Sequence, residues 1–142
     1  MSGIIVVGVD GSGTAKKAAE AARDLAVALG GSLHVVSAFD SDRTEVFGSG
    51  SDRWIVSDAD GAEHVAKTVA DALAGSVKVT YSAARGKPAD ALINEAERLG
   101  AKMIVVGNRR MRGIGRVLGS VANSVAHNAT CDVYIANTYD AD

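Results

Sequence analysis

The sequence VVGNRRMRGIGRVLGSV, at residues 105–121, combines an apolar strand, a loop rich in glycine and arginine, and the start of a helix. Glycines let backbone N–H groups approach a ligand closely, and a helix N-terminus adds oriented donors and partial positive charge. Four of the chain's 15 Lys and Arg residues lie in this loop: Arg109, Arg110, Arg112 and Arg116. The pattern predicts an anion site, most naturally for phosphate, and the alternative is a basic, solvated turn.

Apolar runs and helical patterns alternate on both sides of this stretch. The alternation predicts a parallel sheet with helices on both faces, because strands covered on two sides are apolar throughout. Gly30 and Gly100 are expected to end helices, and Pro88 suits a first helical turn. The predicted strands are Ile4–Val7, Leu33–Phe39, Val77–Tyr81, Met103–Val106 and Val133–Ala136, with helices up to Gly30, over Glu63–Ala74, from Pro88 to Gly100 and up to about Asn128.

These elements predict an α/β fold with a five-stranded, parallel, doubly wound sheet in the strand order 3-2-1-4-5. The third strand alternates apolar and polar residues, so it is expected at a half-exposed sheet edge. We expect one domain over residues 1–142, with a long flexible loop at about 40–62. Within that loop Trp54, Ile55 and Val56 are expected to pack down as an anchor.

Composition excludes several classes of protein. The chain has 142 residues, 47% of them hydrophobic, and a net charge of −2, which argues against a nucleic-acid-binding surface. Cys131 is the single cysteine, so no intrachain disulfide can form. No signal peptide is evident, and no apolar run approaches the roughly 18 residues that span a bilayer. We therefore expect a cytoplasmic protein that does not associate with membranes.

The strand order places the ligand site. In an open doubly wound sheet, ligands bind beyond the carboxyl ends of the strands where the strand order reverses, here between the first and fourth strands. The loop after the first strand carries Asp10, and the loop after the fourth is the arginine-rich one. A carboxylate can accept hydrogen bonds from both ribose hydroxyls, and a glycine-lined helix start can hold phosphates. The combination predicts a nucleotide site.

Competing motifs fit poorly. Thr14 stands where a Walker loop requires lysine, and Gly11-Ser12-Gly13 is followed by Lys16 where a dinucleotide motif requires glycine. His127 and Cys131 have the spacing of two ligands, which is too few for a zinc site, so no metal site is predicted. His34 lies on the second strand, where we expect its hydrogen bonds to be satisfied rather than catalytic.

With these residues in view, the chain resembles the universal stress proteins over essentially its whole length. The resemblance includes Val-Gly-Val-Asp-Gly-Ser at 7–12, Gly-x-Pro at 86–88, Ile-Val-Val-Gly at 104–107, Gly-Ser-Val at 119–121 and Ala-His at 126–127. It implies a flavodoxin-like fold of the adenine-nucleotide alpha-hydrolase type. One branch of the family binds ATP through Gly-x-x-Gly, nine residues, and Gly-[Ser/Thr].

This chain matches that motif in part. Gly107 matches the first glycine and Gly119-Ser120 the last pair, but Arg110 stands at the second glycine and eight residues separate it from Gly119. By resemblance, Asp10 would hold the ribose and Val9 and Ala38 would line the adenine pocket. The residues around the phosphates would be Val106, Gly107, Asn108, Arg109, Arg110, Gly119, Ser120 and Val121.

The resemblance implies a regulatory protein that binds ATP, AMP or cyclic AMP, with Mg²⁺ accompanying ATP, and that forms a homodimer through the fifth strand. The sequence offers no well-placed base, so we expect no enzymatic activity beyond at most a weak ATPase. The alternative is a dimeric protein-interaction module that binds no nucleotide. In that alternative Asp10 and Ser120 are turn or helix caps, and Val9 and Ala38 belong to the rim of the core.

Overall fold

The structure, a computed structural model, describes residues 3–40, 45–49, 52–56, 58–108 and 118–138. Seven strands and four helices lie within these ranges. Their bounds are β1 Ile4–Gly8, α1 Gly13–Leu29, β2 Ser32–Phe39, β3 Glu45–Ser49, β4 Asp52–Val56, α2 Ala59–Leu73, β5 Val79–Arg85, α3 Pro88–Leu99, β6 Met103–Asn108, α4 Ser120–Asn128 and β7 Asp132–Asn137.

The main sheet has the order β5-β2-β1-β6-β7, and each neighbouring pair is parallel. Counted among these five strands alone, the order is 3-2-1-4-5, so the predicted doubly wound sheet is confirmed. The predicted third strand is the edge strand β5, and its side chains are half-buried or exposed, as the alternating sequence indicates. The strand order reverses at β1, which lies between β2 and β6.

Both faces of the sheet are covered, which explains why its central strands are apolar throughout. Helices α1 and α2 cover one face and α3 and α4 the other, each with its own cluster of buried side chains. Helix α1 buries only alanines, so its backbone can pack closely on the sheet. Two leucines near helix ends lie outside these clusters: Leu29 ends α1 and is 38% exposed, and Leu118 precedes α4 and is 40% exposed.

Local sequence signals fix the helix ends. Ser12 is the N-cap of α1, and its side chain accepts a hydrogen bond from the backbone N–H of Ala15. Gly30 closes the same helix in the left-handed conformation at φ 70°, where a side chain is disfavoured. Pro88 opens α3 as predicted. No helix in the described part of the chain is long and apolar enough to cross a membrane.

The stretch predicted as a long loop, residues 40–62, is organised differently. It contains the antiparallel hairpin β3–β4, and α2 begins at Ala59 rather than at the predicted Glu63. Asp58 sets that helix start, because its side chain accepts a 2.7 Å hydrogen bond from Gly61 N–H. The hairpin is short and contains polar residues, and tertiary contacts hold such a two-stranded unit in place.

Candidate functional site

The candidate site lies at the carboxyl ends of β1 and β6, where the strand order reverses. Val7 of β1 pairs with Val105 of β6, so the loops that leave these two strands start side by side. The chain continues from β1 into α1 on one face and from β6 toward α4 on the other. These opposite crossovers open a crevice between the loops, as doubly wound sheets do at their ligand sites.

Asp10 stands on the β1 side of this crevice and is half-buried. Its Oδ1 accepts a 3.0 Å hydrogen bond from Ser12 N–H, which shapes the turn into α1. Its Oδ2 accepts a 3.2 Å hydrogen bond from the backbone N–H of Ile55 on the hairpin. An ionised carboxylate has about four acceptor positions, so these two bonds leave capacity for ribose hydroxyls. Asp10 therefore has a structural role in the turn and can still accept from a ligand.

Gly119 and Ser120 stand on the β6 side, at the start of α4. Gly119 is buried and serves as N-cap, and it has no side chain to accept from the first-turn N–H groups. Its own N–H donates a 2.8 Å hydrogen bond to Asn108 Oδ1, which ties the helix start to the end of β6. A helix N-terminus without a side-chain cap suits an anion, so this end fits a phosphate.

A cavity of ≈ 150 Å³ lies beside this helix start, between the N-termini of α3 and α4. Ser120 and Val121 line it together with Lys87, the N-cap residue of α3. Two helix N-termini and Lys87 add positive potential to this cavity, and the carboxylate of Asp90, which also lines it, opposes them. The sequence analysis missed Lys87; the Gly-x-Pro pattern placed it at a helix start, but only the fold brings that start beside α4.

The predicted adenine-pocket residues face opposite sides of the sheet. Val9 is fully buried in the cluster beneath α1 and α2, and its backbone N–H bonds to Val36. Ala38 is 2% exposed and follows the buried Val36 by two positions in β2, so it faces the α3–α4 side. Ala38 is thus on the same side as the hairpin, whereas Val9 contributes a packed side chain to the opposite core.

The predicted site residues at the end of β6 also divide between the two faces of the sheet. Val106 is 1% exposed in the α3–α4 cluster. A Cβ added to Gly107 would lie 2.9 Å from Thr138 Cγ2 and 3.3 Å from Ala18 Cβ, so glycine permits close packing against α1 there. Arg109 and Arg110 lie outside the described residues.

Trp54 of β4 packs onto the sheet, as predicted for the anchor, whereas Ile55 is 40% exposed and the side chain of Val56 lies outside the described part of the structure. Trp54 contacts the α3–α4 cluster at Gly8, the last residue of β1. A Cβ at Gly8 would come within 2.9 Å of the indole Cη2 and within 2.7 and 2.8 Å of the two Leu92 methyl carbons. Gly8 therefore gives the indole its space, a role that the sequence analysis did not assign to it.

Thr138 is a third residue that sequence reasoning missed, after Lys87 and Gly8. It follows β7, is 1% exposed, and its backbone N–H donates to the carbonyl of Asn108. Its hydroxyl is buried without a hydrogen-bond partner. Its position directly after a strand gave no signal, because one threonine at a strand end is common.

His34 belongs to a separate polar network between β2, β5 and α3. Ser82 donates to Glu95 Oε2 at 2.6 Å, so its oxygen accepts from His34 Nε2 at 2.8 Å, and the neutral ring accepts at Nδ1 from Thr80 at 2.7 Å. The prediction that His34 is satisfied in its strand is confirmed. Arg98 bonds to the other oxygen of Glu95.

Burial lowers the pKa of His34. The nearby Glu95 carboxylate acts to raise this pKa, and the charge of Arg98 acts to lower it. The pKa of Glu95 is also lowered: burial acts to raise it, but the hydrogen bonds from Arg98 and Ser82 and the neighbouring charges together prevail. The network is structural, since its donors and acceptors bond to one another rather than facing the crevice.

A second cavity lies between α1 and α2, on the opposite face of the sheet from α4. Its volume is ≈ 360 Å³, apolar side chains such as Val65 and polar ones such as Lys16 line it, and it includes neither Asp10 nor any residue of α4. No group of three His, Cys, Asp or Glu side chains that could hold a metal ion occurs among the residues that the structure describes.

Comparison with known proteins identifies relatives over nearly the whole chain. The universal stress protein Rv1636 of Mycobacterium tuberculosis is 32% identical over 148 residues, which cover 94% of this chain and 95% of the relative. A crystal structure of a universal stress protein in complex with cAMP matches with a TM-score of 0.72 at 28% identity, over 96% of this chain and 97% of that one.

The fold also matches a more distant structure. The universal stress protein from Archaeoglobus fulgidus, solved in complex with dAMP, has a TM-score of 0.66 at 18% identity, with 95% of this chain and 97% of that chain covered. The family model described as the universal stress protein family matches residues 1–137. The chain therefore belongs to the universal stress protein family.

Proposed function

We propose that this protein binds an adenine nucleotide in the crevice between β1 and β6 and acts as a regulatory protein. The observation that carries the proposal is the pairing of Asp10, at the end of β1, with the glycine-capped start of α4 across the point where the strand order reverses. The carboxylate suits ribose hydroxyls, and the helix start suits a phosphate.

The similar structure that contains cAMP supports an adenine nucleotide as the ligand class. ATP, AMP and cyclic AMP share the adenosine that Asp10 would contact and differ in the phosphates. Lys87 and the N-terminus of α4 supply positive potential for those phosphates. Mg²⁺ would accompany ATP through the phosphate oxygens.

Calorimetric titration of nucleotide-stripped protein with AMP, ATP and cyclic AMP tests the proposal. We expect at least one of them to bind, and the absence of heat at millimolar ligand would contradict it. Gly119→Val should abolish binding, because a branched side chain would crowd the helix start. Gly13→Ala is the matched control, since Gly13 also begins a helix and no atom lies within 4 Å of its added Cβ.

The proposed role does not include catalysis. Asp10 is the carboxylate that we propose contacts the ribose, and its hydrogen bonds to Ser12 and Ile55 give it a role in the turn. Incubation with ATP should give no multiple-turnover release of phosphate. Multiple turnovers that disappear in Asp10→Asn would show that the protein is a nucleotide hydrolase.

We also propose a homodimer through β7. This strand pairs with β6 on one side and lies at the edge of the sheet, and its Tyr134 is 43% exposed. An exposed edge strand presents unpaired backbone groups that a second copy can complete. Light scattering at high protein concentration should give twice the chain mass, and a monomeric mass would contradict the dimer.

A protein-interaction module without nucleotide is the second candidate function. One observation favours it: the indole of Trp54 fills the space over Gly8 at the base of the crevice. If no adenine nucleotide binds in the calorimetric titration, this candidate replaces the first.

A further inference from the structure

The hairpin formed by β3 and β4, here called the strap, crosses the β1 side of the crevice. Two contacts hold it there: Ile55 N–H donates to Asp10 Oδ2 at 3.2 Å, and the Trp54 indole packs at Gly8. The first contact uses the carboxylate proposed to hold a ribose. The Ile55 N–H therefore takes one acceptor position of Asp10 Oδ2 that a ribose hydroxyl would otherwise use.

Trp54 stands at the nucleoside end of the crevice. Gly8 pairs with Val36 in β2, and Ala38 lies two residues further along the same strand, on the face that carries the strap. Asp10 follows Gly8 by two positions, and its bond to Ile55 places it on that face as well. A flat aromatic ring thus already lies on this face against Gly8, next to the strand that carries Ala38.

The closed strap is held by contacts that a ligand can replace. The indole Nε1 is buried without a hydrogen-bond partner, which costs stability because the group has lost its water. The bond from Ile55 to Asp10 is at the long end of the normal range and is solvent-exposed. Opening the strap would return Nε1 to water and free Asp10.

We propose that Trp54 is an internal occupant of the nucleoside subsite, and that an adenine nucleotide binds by displacing the strap. This inference rests on the proposed function. The adenine ring takes over the apolar surface that the indole covers, and the ribose hydroxyls replace Ile55 N–H at Asp10. The measured association constant is then the intrinsic one multiplied by the fraction of molecules whose strap is open.

Nucleotide affinity of strap variants provides the first test. Trp54→Ala removes the occupant, so we expect AMP to bind about tenfold more tightly, the gain for a strap that is open in about a tenth of molecules. Val27→Ala is the control, because it truncates an exposed apolar residue on α1, on the other face of the sheet from the strap, and should leave the affinity unchanged. Weaker or unchanged AMP binding in Trp54→Ala, with normal binding in the control, would overturn the inference and leave the proposed function standing.

A second variant opens the strap and keeps the indole. Ile55 pairs with Val46, and its N–H points to Asp10 rather than to β3, so Ile55→Pro removes that bond without breaking the ladder. We expect Ile55→Pro to bind AMP more tightly as well. Because Trp54 is the single tryptophan, acrylamide quenching of its emission reports its exposure directly.

Quenching should be weak in the free wild-type protein, stronger in Ile55→Pro, and stronger in the wild type after AMP is added. A decrease in quenching with AMP would mean that the base stacks on the indole, which would overturn displacement. If no variant binds AMP, the proposed function fails, and the inference fails with it. The comparison of free wild type with Ile55→Pro still shows whether the strap closes on Asp10.

Discussion

Asn108 and Gly119 close the base of the arginine-rich loop, because Asn108 Oδ1 accepts a buried 2.8 Å hydrogen bond from the backbone N–H of Gly119. The side chain of the last residue in β6 thereby fixes where α4 begins. The bond also satisfies the N–H of the cap residue itself. One amide side chain thus links the end of β6 to the geometry of the proposed phosphate site.

Asn108→Ala should lower the free energy of unfolding by about 1–3 kcal/mol, since it leaves a buried N–H without its acceptor. It should also weaken the binding of AMP more than that of adenosine, because the lost hydrogen bond is at the phosphate end of the proposed site. Urea unfolding and calorimetry measure the two effects. Asn128→Ala is the control, because Asn128 bonds a backbone carbonyl on the exposed side of α4. Equal losses for AMP and adenosine would argue against a phosphate at this helix start.

Gly8→Ala should destabilise the protein by about 1–3 kcal/mol through overpacking. Its Cβ would lie under 3.0 Å from the methyl carbons of Leu92 and from the indole of Trp54, so these packed side chains would have to shift. Gly13→Ala, with open space around its Cβ, should change the stability by less than about 1 kcal/mol. Urea midpoints at constant m-value provide the comparison.

The overpacking at Gly8 should depend on Trp54. In a Trp54→Ala background part of the crowding is gone, so Gly8→Ala should cost less than in the wild type. A double-mutant cycle measures this coupling. Strictly additive effects would show that the indole does not contact Gly8 in solution.

Much of the fold follows from local patterns in the sequence. Continuous β-branched runs such as Ile4–Val7 predict strands that are covered on both faces, and Gly30 and Pro88 mark helix ends with known backbone geometry. With strands and helices alternating, chain handedness leaves few arrangements, so the sheet order could be predicted. The location of Asp10 opposite the start of α4 follows from that order.

The strap could not be predicted in the same way. Its strands are five residues each, and the sequence between and around them is polar and contains glycine, which is typical of a loop. The contacts that hold it, from Trp54 to Gly8 and from Ile55 to Asp10, join residues about 45 positions apart. The partners of His34 were hidden for the same reason, since Thr80 lies 46 positions away along the chain. Sequence periodicity carries no information about such distances.

Cys131 should react slowly with a thiol reagent such as dithionitrobenzoate. Burial, followed by the charge of Asp132, raises the pKa of its thiol, so less of the reactive thiolate is present near neutral pH. We expect the folded protein to react severalfold more slowly than the urea-unfolded chain. Asp132→Asn should speed the reaction, whereas Asp24→Asn on the distant surface of α1 should not. If the folded protein reacted as fast as the urea-unfolded chain, the partial burial of this thiol would be contradicted.

Acidification should destabilise the protein in two steps, through His34 and Glu95. The folded pKa of His34 lies below its ordinary value of 6.5, so the unfolded chain binds protons first, and stability that is complete above pH 6.5 is lost as the pH falls toward the folded pKa. The folded pKa of Glu95 lies below its ordinary value of 4.5, so its contribution is lost only below that pH.

Urea unfolding between pH 4 and pH 8 measures this dependence. In His34→Gln, which retains hydrogen-bonding groups but does not titrate, the loss of stability just below pH 6.5 should shrink. His127→Gln, on the exposed side of α4, should retain the wild-type profile. An unchanged profile in His34→Gln would mean that His34 takes up its proton as readily in the folded protein as in the unfolded chain. In that case the network with Ser82 and Glu95 would accommodate an imidazolium, with Nε2 still donating to Ser82 and Nδ1 donating to Thr80.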